Sequence, residues 1–195
     1  MTSRSATVSR KTKETDITLT LDIDGSGTAE VATGIGFLDH MLATLTKHAR
    51  FDLTLTCQGD LHIDDHHTAE DCALALGAAL DEALGDRAGI GRFGSAYAPL
   101  DEALARAVID LSGRPYAYVS LGLQRERLGG LACENVGHVL RYLATAARTT
   151  LHVDLLRGEN DHHRAEAAFK ATALALRQAV HTGGGDDVPS TKGVL

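Results

Sequence analysis

Asp65-His66-His67-Thr68-Ala69-Glu70 recurs as Asp161-His162-His163-Arg164-Ala165-Glu166, five of six positions matching and the copies starting 96 residues apart in a chain of 195. Neither segment is low in complexity, and each half of the chain carries one copy. A duplicated domain explains that placement, with each half supplying an equivalent set of ligands. Outward from the motif the order of elements repeats as well. Ile17, Leu19, Leu21 and Ile23 alternate with polar residues, the period of a strand with one buried face. The polar segment before them extends that strand or forms an edge strand. Asp24–Gly27 is a turn signal, and residues 28–33 read as a strand returning along the first. A helix from about Ile35 to Ala49 follows, its apolar stripe formed by Phe37, Leu38, Met41, Leu42 and Leu45, with His40 well off that stripe. Phe51, Leu53, Leu55 and Cys57 alternate as another strand, and His66–Leu84 has helical spacing.

After a glycine-rich connector (residues 85–94), the second half runs through the same sequence of signals. Ala105, Ala107, Ile109 and Leu111 alternate, Ser112–Pro115 turns, residues 116–121 return, and 124–130 form a polar loop. A helix from about Glu134 to Thr149 carries His138, which matches His40. Leu151, Val153 and Leu155 form a strand, and a last helix runs from His162 to about His181. The fold class is α/β (α+β): a two-layer sandwich built twice, with helices on one face of each sheet. The repeats span about 5–85 and about 93–182 within one domain, followed by a tail, 183–195.

The bulk numbers narrow the function classes. A net charge of −7 with no Lys/Arg block argues against nucleic-acid binding. No apolar run approaches membrane-spanning length, and the first residues lack a signal-peptide core, so a cytoplasmic protein is expected. Cys57, Cys72 and Cys133 form no CxxC and stand in apolar patterns, as reduced core thiols do.

At about 100° per residue, His66 and Glu70 lie on one side of their helix, the i,i+4 relation that lets two side chains share one ion. His67 is rotated by about 100° and reaches more naturally to a second ion. Two-fold pairing of the halves then predicts one metal on His66, Glu70 and His163, and another on His162, Glu166 and His67. His40 and His138 add one ligand to each, in an assignment left open at this point. Four protein ligands on an octahedral ion leave two positions open, as a catalytic site requires. Imidazole admits Zn, Fe, Cu or Ni, and the carboxylates also admit Mn. Asp65 and Asp161 are candidates for accepting a ligand ring's free N–H or for capping their helices.

Gly34-Ile35-Gly36-Phe37-Leu38-Asp39-His40-Met41-Leu42, Asp64–Asp71, Leu111–Pro115, the second His-His motif with Phe169-Lys170, and Pro189-Ser190-Thr191-Lys192-Gly193 together resemble the imidazoleglycerol-phosphate dehydratases of histidine biosynthesis. The resemblance runs from about Lys13 to the last residue. Gly36 stands where that family often has Pro, and Gly137 where an acidic residue often precedes the histidine. The resemblance implies a tandem β3-α-β-α fold (ribosomal protein S5 domain 2-like), two manganese ions per active site, and a twenty-four-subunit homo-oligomeric shell with sites at subunit interfaces.

The implied activity is that of a hydro-lyase: dehydration of D-erythro-1-(imidazol-4-yl)glycerol 3-phosphate to imidazole acetol phosphate. The removed hydrogen is poorly acidic. Two metals on the ring nitrogens would favour the imidazolate, which expels the hydroxyl to give a diazafulvene-like intermediate. The resemblance assigns the phosphate of this small substrate to Arg92, Arg114, Lys170, Ser190 and Lys192, with the last two in a substrate-binding tail. It places Glu14 on the substrate hydroxyls as an acid/base group, with Asp101 a weaker candidate. The expected catalytic set is Glu14, His40, His67, Glu70, His138, His163 and Glu166. A non-catalytic metal-storage shell is the rival reading, but storage has no need of a phosphate clamp. A dinuclear hydrolase is disfavoured by the excess of His over carboxylate.

Overall fold

The computed structural model describes residues 4–183, 185 and 187–195. The first three residues of the N-terminal segment and tail positions 184 and 186 lie outside them. Each half builds one four-stranded sheet. The first contains β1 (Ser5–Lys11), β2 (Thr15–Asp22), β3 (Ala29–Ala32) and β4 (Asp52–Gly59), in the order β1-β2-β4-β3. Helices α1 (Gly36–Ala49) and α2 (His66–Leu84) accompany it. The second contains β5 (Phe93–Leu100), β6 (Ala103–Asp110), β7 (Tyr116–Ser120) and β10 (Thr150–Arg157), in the order β5-β6-β10-β7. Its helices are α3 (Cys133–Ala146) and α4 (Asp161–Ala179), and β8 (Arg127–Leu128), within the segment that reads as a polar loop, pairs with β9 (Leu131–Ala132) just after it.

Strand pattern decides strand place. β2 alternates buried and exposed along its length, and Ile17, Leu19 and Leu21 are almost inaccessible. β4 carries Leu53, Leu55 and Cys57 inward and pairs antiparallel with β2 over its full length, Thr15 opposite Gly59 to Asp22 opposite Asp52. The polar β1 and the four-residue β3 take the edges, where a weakly apolar strand costs least. The strand expected to return along β2 does not do so. β3 runs parallel to β4, which lies between it and β2. A parallel neighbour requires a crossover, and α1 supplies it. The same holds in the second half, where β7 runs parallel to β10 instead of folding back on β6. β5, with Gly94, Ala96 and Ala98 inward, is an edge strand not read from the pattern beforehand.

The two halves meet through their helices. α2 packs on β2 and β1, α4 packs on β5 and β6, and across the halves α1 pairs with α4 and α2 with α3. Two sheets therefore enclose a four-helix interior, and a single apolar core runs through both halves, with Leu38, Met41, Val136, Leu140, Ala165 and Phe169 almost fully buried. Each large aliphatic side chain so buried contributes about 1.5–3 kcal/mol. The interior is rich in alanine on α2 and α4, which lets helices approach closely. At Gly77 a Cβ would lie 2.5 Å from the Leu143 carbonyl oxygen and 2.7 Å from the Ala146 Cβ, so α2 and α3 touch backbone to backbone there.

Candidate metal centre

The first turns of α2 and α4 begin alike. The backbone N–H of His66 donates to Asp64 Oδ1 at 2.8 Å, and that of His162 donates to Asn160 Oδ1 at 2.9 Å. Asp64 and Asn160 occupy equivalent positions, and these residues hold the helix starts, not Asp65 and Asp161. Nor does either of the latter two accept directly from a ligand ring. Asp65 accepts from the Ala132 N–H, the Asn135 amide and Arg127, while Asp161 accepts from the N–H groups of Gln124 and Arg125 and from Arg164. Both are buried, so their charge goes where fixed donors can satisfy it, on residues of the second half.

With the helix starts fixed, the pairing of helices across the halves brings together two groups of three ligands. His66, Glu70 and His138 form one, with one ligand atom from each within 4.8 Å of the others; His40, His162 and Glu166 form the other on the same criterion. Within the first, Glu70 Oε2 lies 2.7 Å from His138 Nε2 and 3.4 Å from His66 Nε2. Within the second, Glu166 Oε2 lies 3.1 Å from His40 Nε2 and 3.2 Å from His162 Nε2. The same atom types converge in both, as a two-fold relation between the halves requires. The assignment left open by the sequence is thereby made: His138 joins the first motif and His40 the second. Each group takes its helix pair from both halves of the chain.

The surroundings differ. His66 Nδ1 lies 3.2 Å from Asn135 Oδ1, and the Asn135 amide N–H donates to Asp65, which turns the amide oxygen toward the ring. The matching position on α1 is Phe37, whose ring meets His162 edge-on at 5.2 Å. Tyr142 meets the His138 ring at a tilt of 41°, with 4.2 Å between ring centroids. Lys170 Nζ lies 2.7 Å from Glu166 Oε1, on the ligand-bearing side as its spacing predicts. Burial pushes the Glu166 carboxyl up, but the bonds from Lys170 and His40 outweigh it and hold the group at about 2. It is a carboxylate at neutral pH.

His67 and His163 do not join these groups. His67 Nδ1 lies 2.9 Å from Asp60 Oδ2, and its Nε2 lies 3.6 Å from Glu14 Oε1. His163 Nδ1 lies 2.7 Å from Glu102 Oε2. Each carboxylate raises its histidine's pKa, and Glu102 is drawn down to about 2, first by His163 and then by the Asn160 and Glu159 N–H groups. Asp60 and Glu102 are absent from the set expected from sequence. The signal that points to Glu102 is its place, immediately before β6 as Glu14 stands immediately before β2.

The expected phosphate residues fall into two places. Arg92 donates through Nε to Asp110 Oδ1 at 2.8 Å and through Nη1 to the Pro189 carbonyl at 2.7 Å, fastening the tail beside it. Arg114, more exposed, lies 3.6 Å from the same Asp110. Ser190 and Lys192 follow in that tail, joined by the Lys192 N–H donating to Ser190 Oγ at 3.2 Å. Lys170 stands apart on Glu166. Asp101 sits in the β5–β6 turn with φ +47 and adds negative potential near His163. A cavity of about 750 Å³ lined by Arg125, Arg127, Cys133, Glu134 and Arg141 includes none of the metal-group residues.

Two imidazole nitrogens and one carboxylate oxygen make a donor set suited to a divalent transition ion, and three donors are fewer than a closed site uses. The arrangement fits a cation with positions left for other ligands. Cys57, Cys72 and Cys133 are buried free thiols and contribute nothing to either group.

A family model described as Imidazoleglycerol-phosphate dehydratase matches residues 33–176. The imidazoleglycerol-phosphate dehydratase of Phytophthora nicotianae is 60% identical over 192 residues, covering 98% of this chain and 42% of that protein. That of Saccharomyces cerevisiae is 53% identical over 219 residues and 100% of both chains. A crystal structure of imidazoleglycerol-phosphate dehydratase from Staphylococcus aureus subsp. aureus N315 superposes with a TM-score of 0.83 at 37% identity, covering 92% of this chain and 99% of that one.

Proposed function

The chain belongs to the imidazoleglycerol-phosphate dehydratase family, and from that membership we propose how its residues divide the dehydration of imidazoleglycerol phosphate in histidine biosynthesis. The observation that carries the proposal is the pair of His-His-Glu groups, matched atom for atom across the duplicated halves. Two manganese ions are the cofactors: His66, Glu70 and His138 hold one, and His40, His162 and Glu166 hold the other. His67 and His163 complete these sites on neighbouring copies, since within one chain they face Asp60 and Glu102 instead. That sharing makes a homo-oligomer necessary for activity, with the family's twenty-four-subunit shell as the expected form. When bound, the divalent ions supply the Lewis acidity that favours the ionised imidazole ring of the substrate.

The remaining work falls to this chain's own side chains. Glu14, half-exposed beside His67 Nε2, is placed to move the substrate proton. Its backbone N–H donates to Thr12 Oγ1 at 3.1 Å and its carbonyl accepts from the Asp60 N–H at 3.0 Å, so the turn that carries it is fixed. Arg92, Arg114, Ser190 and Lys192 bind the phosphate on one side, with Lys170 contributing from α4. Arg92 holds the tail in place before substrate arrives, which lowers the ordering cost of binding. None of the described helices is long and apolar enough to cross a membrane, and we place the enzyme in the cytoplasm.

The test is direct. The purified chain is incubated with imidazoleglycerol phosphate and Mn²⁺, with and without a chelator, and the ketone product is measured. Ketone formation abolished by the chelator supports the assignment. Metal binding without product would favour the storage shell, against which the Arg92-anchored tail and Lys170 stand.

A further inference from the structure

Two acids that the sequence does not single out sit against the two histidines left out of the three-ligand groups, and the duplication shows what each does. β2 begins at Thr15 and β6 at Ala103, so Glu14 and Glu102 are equivalent positions. β10 bulges between Leu155 and Arg157, so by register Gly59 matches Gly158 and Asp60 matches Glu159. In the second half the carboxylate on the ring is the one that precedes β6. There Glu102 turns onto the histidine, its Oε2 2.7 Å from His163 Nδ1, while its Oε1 accepts from the N–H groups of Glu159 at 3.1 Å and Asn160 at 2.8 Å. In the first half Asp60 takes that task at 2.9 Å from His67 Nδ1. Glu14 is thereby left on the other side of the ring, 3.6 Å from Nε2.

Asp60 carries a further mark. Its side chain is mostly buried, its Oδ1 finds no hydrogen-bond partner among the described residues, and its Oδ2 meets His67 Nδ1. Burying a carboxylate for a single contact costs stability. Its backbone N–H also holds the Glu14 carbonyl, so one residue locates both the ring and the neighbouring acid.

We propose that Asp60 and Glu102 are positioning residues: each takes the Nδ1–H of its histidine, keeping Nε2 unprotonated and aimed outward for a divalent cation. The two copies of one carboxylate position have then parted, with Glu14 free for proton transfer and Glu102 committed to holding a ring. The inference rests on the two-metal reading above. A carboxylate behind a ligand imidazole fixes its tautomer and orientation and raises its basicity, and its loss typically weakens metal binding by about 10–100-fold. A carboxylate that acts on substrate has no such effect on the metal.

The experiment is a Mn²⁺ titration of the assembled enzyme, following free Mn²⁺ by electron paramagnetic resonance, with kcat measured at limiting and saturating Mn²⁺. Glu102→Ala and Asp60→Ala should each weaken one of the two classes of bound ion by about 10–100-fold, and saturating Mn²⁺ should restore most of kcat. Glu14→Gln should bind both ions as the parent does and lose kcat at every Mn²⁺ concentration. Unchanged Mn²⁺ affinity in both alanine variants overturns the proposal. So does a Glu102→Ala profile that copies Glu14→Gln. If an alanine variant does not fold, Glu102→Gln or Asp60→Asn is read by the same criteria. Failure of the parent enzyme itself to bind manganese is a separate result, and it removes the two-metal reading.

Discussion

Gly77 and Gly137 are both helical glycines, and the structure assigns their replacement by alanine opposite signs. In an unconstrained helix interior, Gly→Ala stabilises by roughly 1 kcal/mol. At Gly137 the new methyl would meet the Arg141 guanidinium at 3.3 Å and Val119 Cγ1 at 3.6 Å, a flexible group and an ordinary contact. Most of the gain should therefore appear, about 1 kcal/mol, or a rise of roughly 2–4 °C in melting temperature. At Gly77 the methyl would stand 2.5 Å from the Leu143 carbonyl and 2.9 Å from the Ala147 nitrogen, both backbone. Restoring a contact of about 3.5 Å needs α2 and α3 to separate by roughly 1 Å. Overpacking of this kind costs about 1–3 kcal/mol, so Gly77→Ala should lower the melting temperature despite the better helix former. The same movement pulls Glu70 away from His138, now 2.7 Å apart, so manganese binding should weaken at that group and not at the His40 group. Differential scanning calorimetry and a Mn²⁺ titration of both variants provide the check. A Gly77→Ala protein as stable as the parent, with undiminished manganese affinity, would refute the close-packing argument.

Other outcomes follow from individual contacts. Arg92→Ala removes the bond that holds the tail at Pro189, so KM should rise by about tenfold or more, for the loss of a charge-assisted bond worth roughly 1.5–3 kcal/mol; steady-state kinetics read it, and an unchanged KM would place the phosphate elsewhere. Asp52 accepts from the N–H groups of Thr28, Ser26 and Gly27, and these bonds hold its carboxyl below the ordinary value. A depressed folded-state pKa contributes stability above the unfolded pKa of about 3.9 and loses it as pH falls through the folded value. Asp52→Ala should therefore be less stable than the parent at pH 6, with the gap closing below pH 4 in urea denaturation; a pH-independent gap would contradict the linkage.

Much of the fold is legible where period-2 or helical spacing is strict. Ile17-Leu19-Leu21 and Leu53-Leu55-Cys57 mark the two central strands of the first sheet, and these alternate as read. Strand order is not so encoded. Whether β3 folds back on β2 or lies beyond β4 depends on the crossover through α1, and four residues with mixed exposure carry no register signal. β5 escapes for a related reason, since its inward positions are glycine and alanine and its large residues, Phe93 and Tyr97, face out.

The ligand motifs themselves are local and repeated, so sequence shows them. Pairing His138 with Glu70 requires knowing that α3 crosses α2 and not α4, which is a tertiary fact. Asp65 misleads because it adjoins the motif, yet its side chain turns to Ala132 and Asn135 on the other half. Glu102 lies 61 residues from the ring it holds, and no spacing rule connects them.

Elemental analysis of the intact assembly after chelator treatment and manganese loading tests the metal assignment most directly. Two manganese ions per chain in the parent, falling to one in His138→Ala and to one in His40→Ala, is the expected result. Retention of two ions in both variants, or no bound manganese in a parent enzyme that still forms the ketone, would contradict the account.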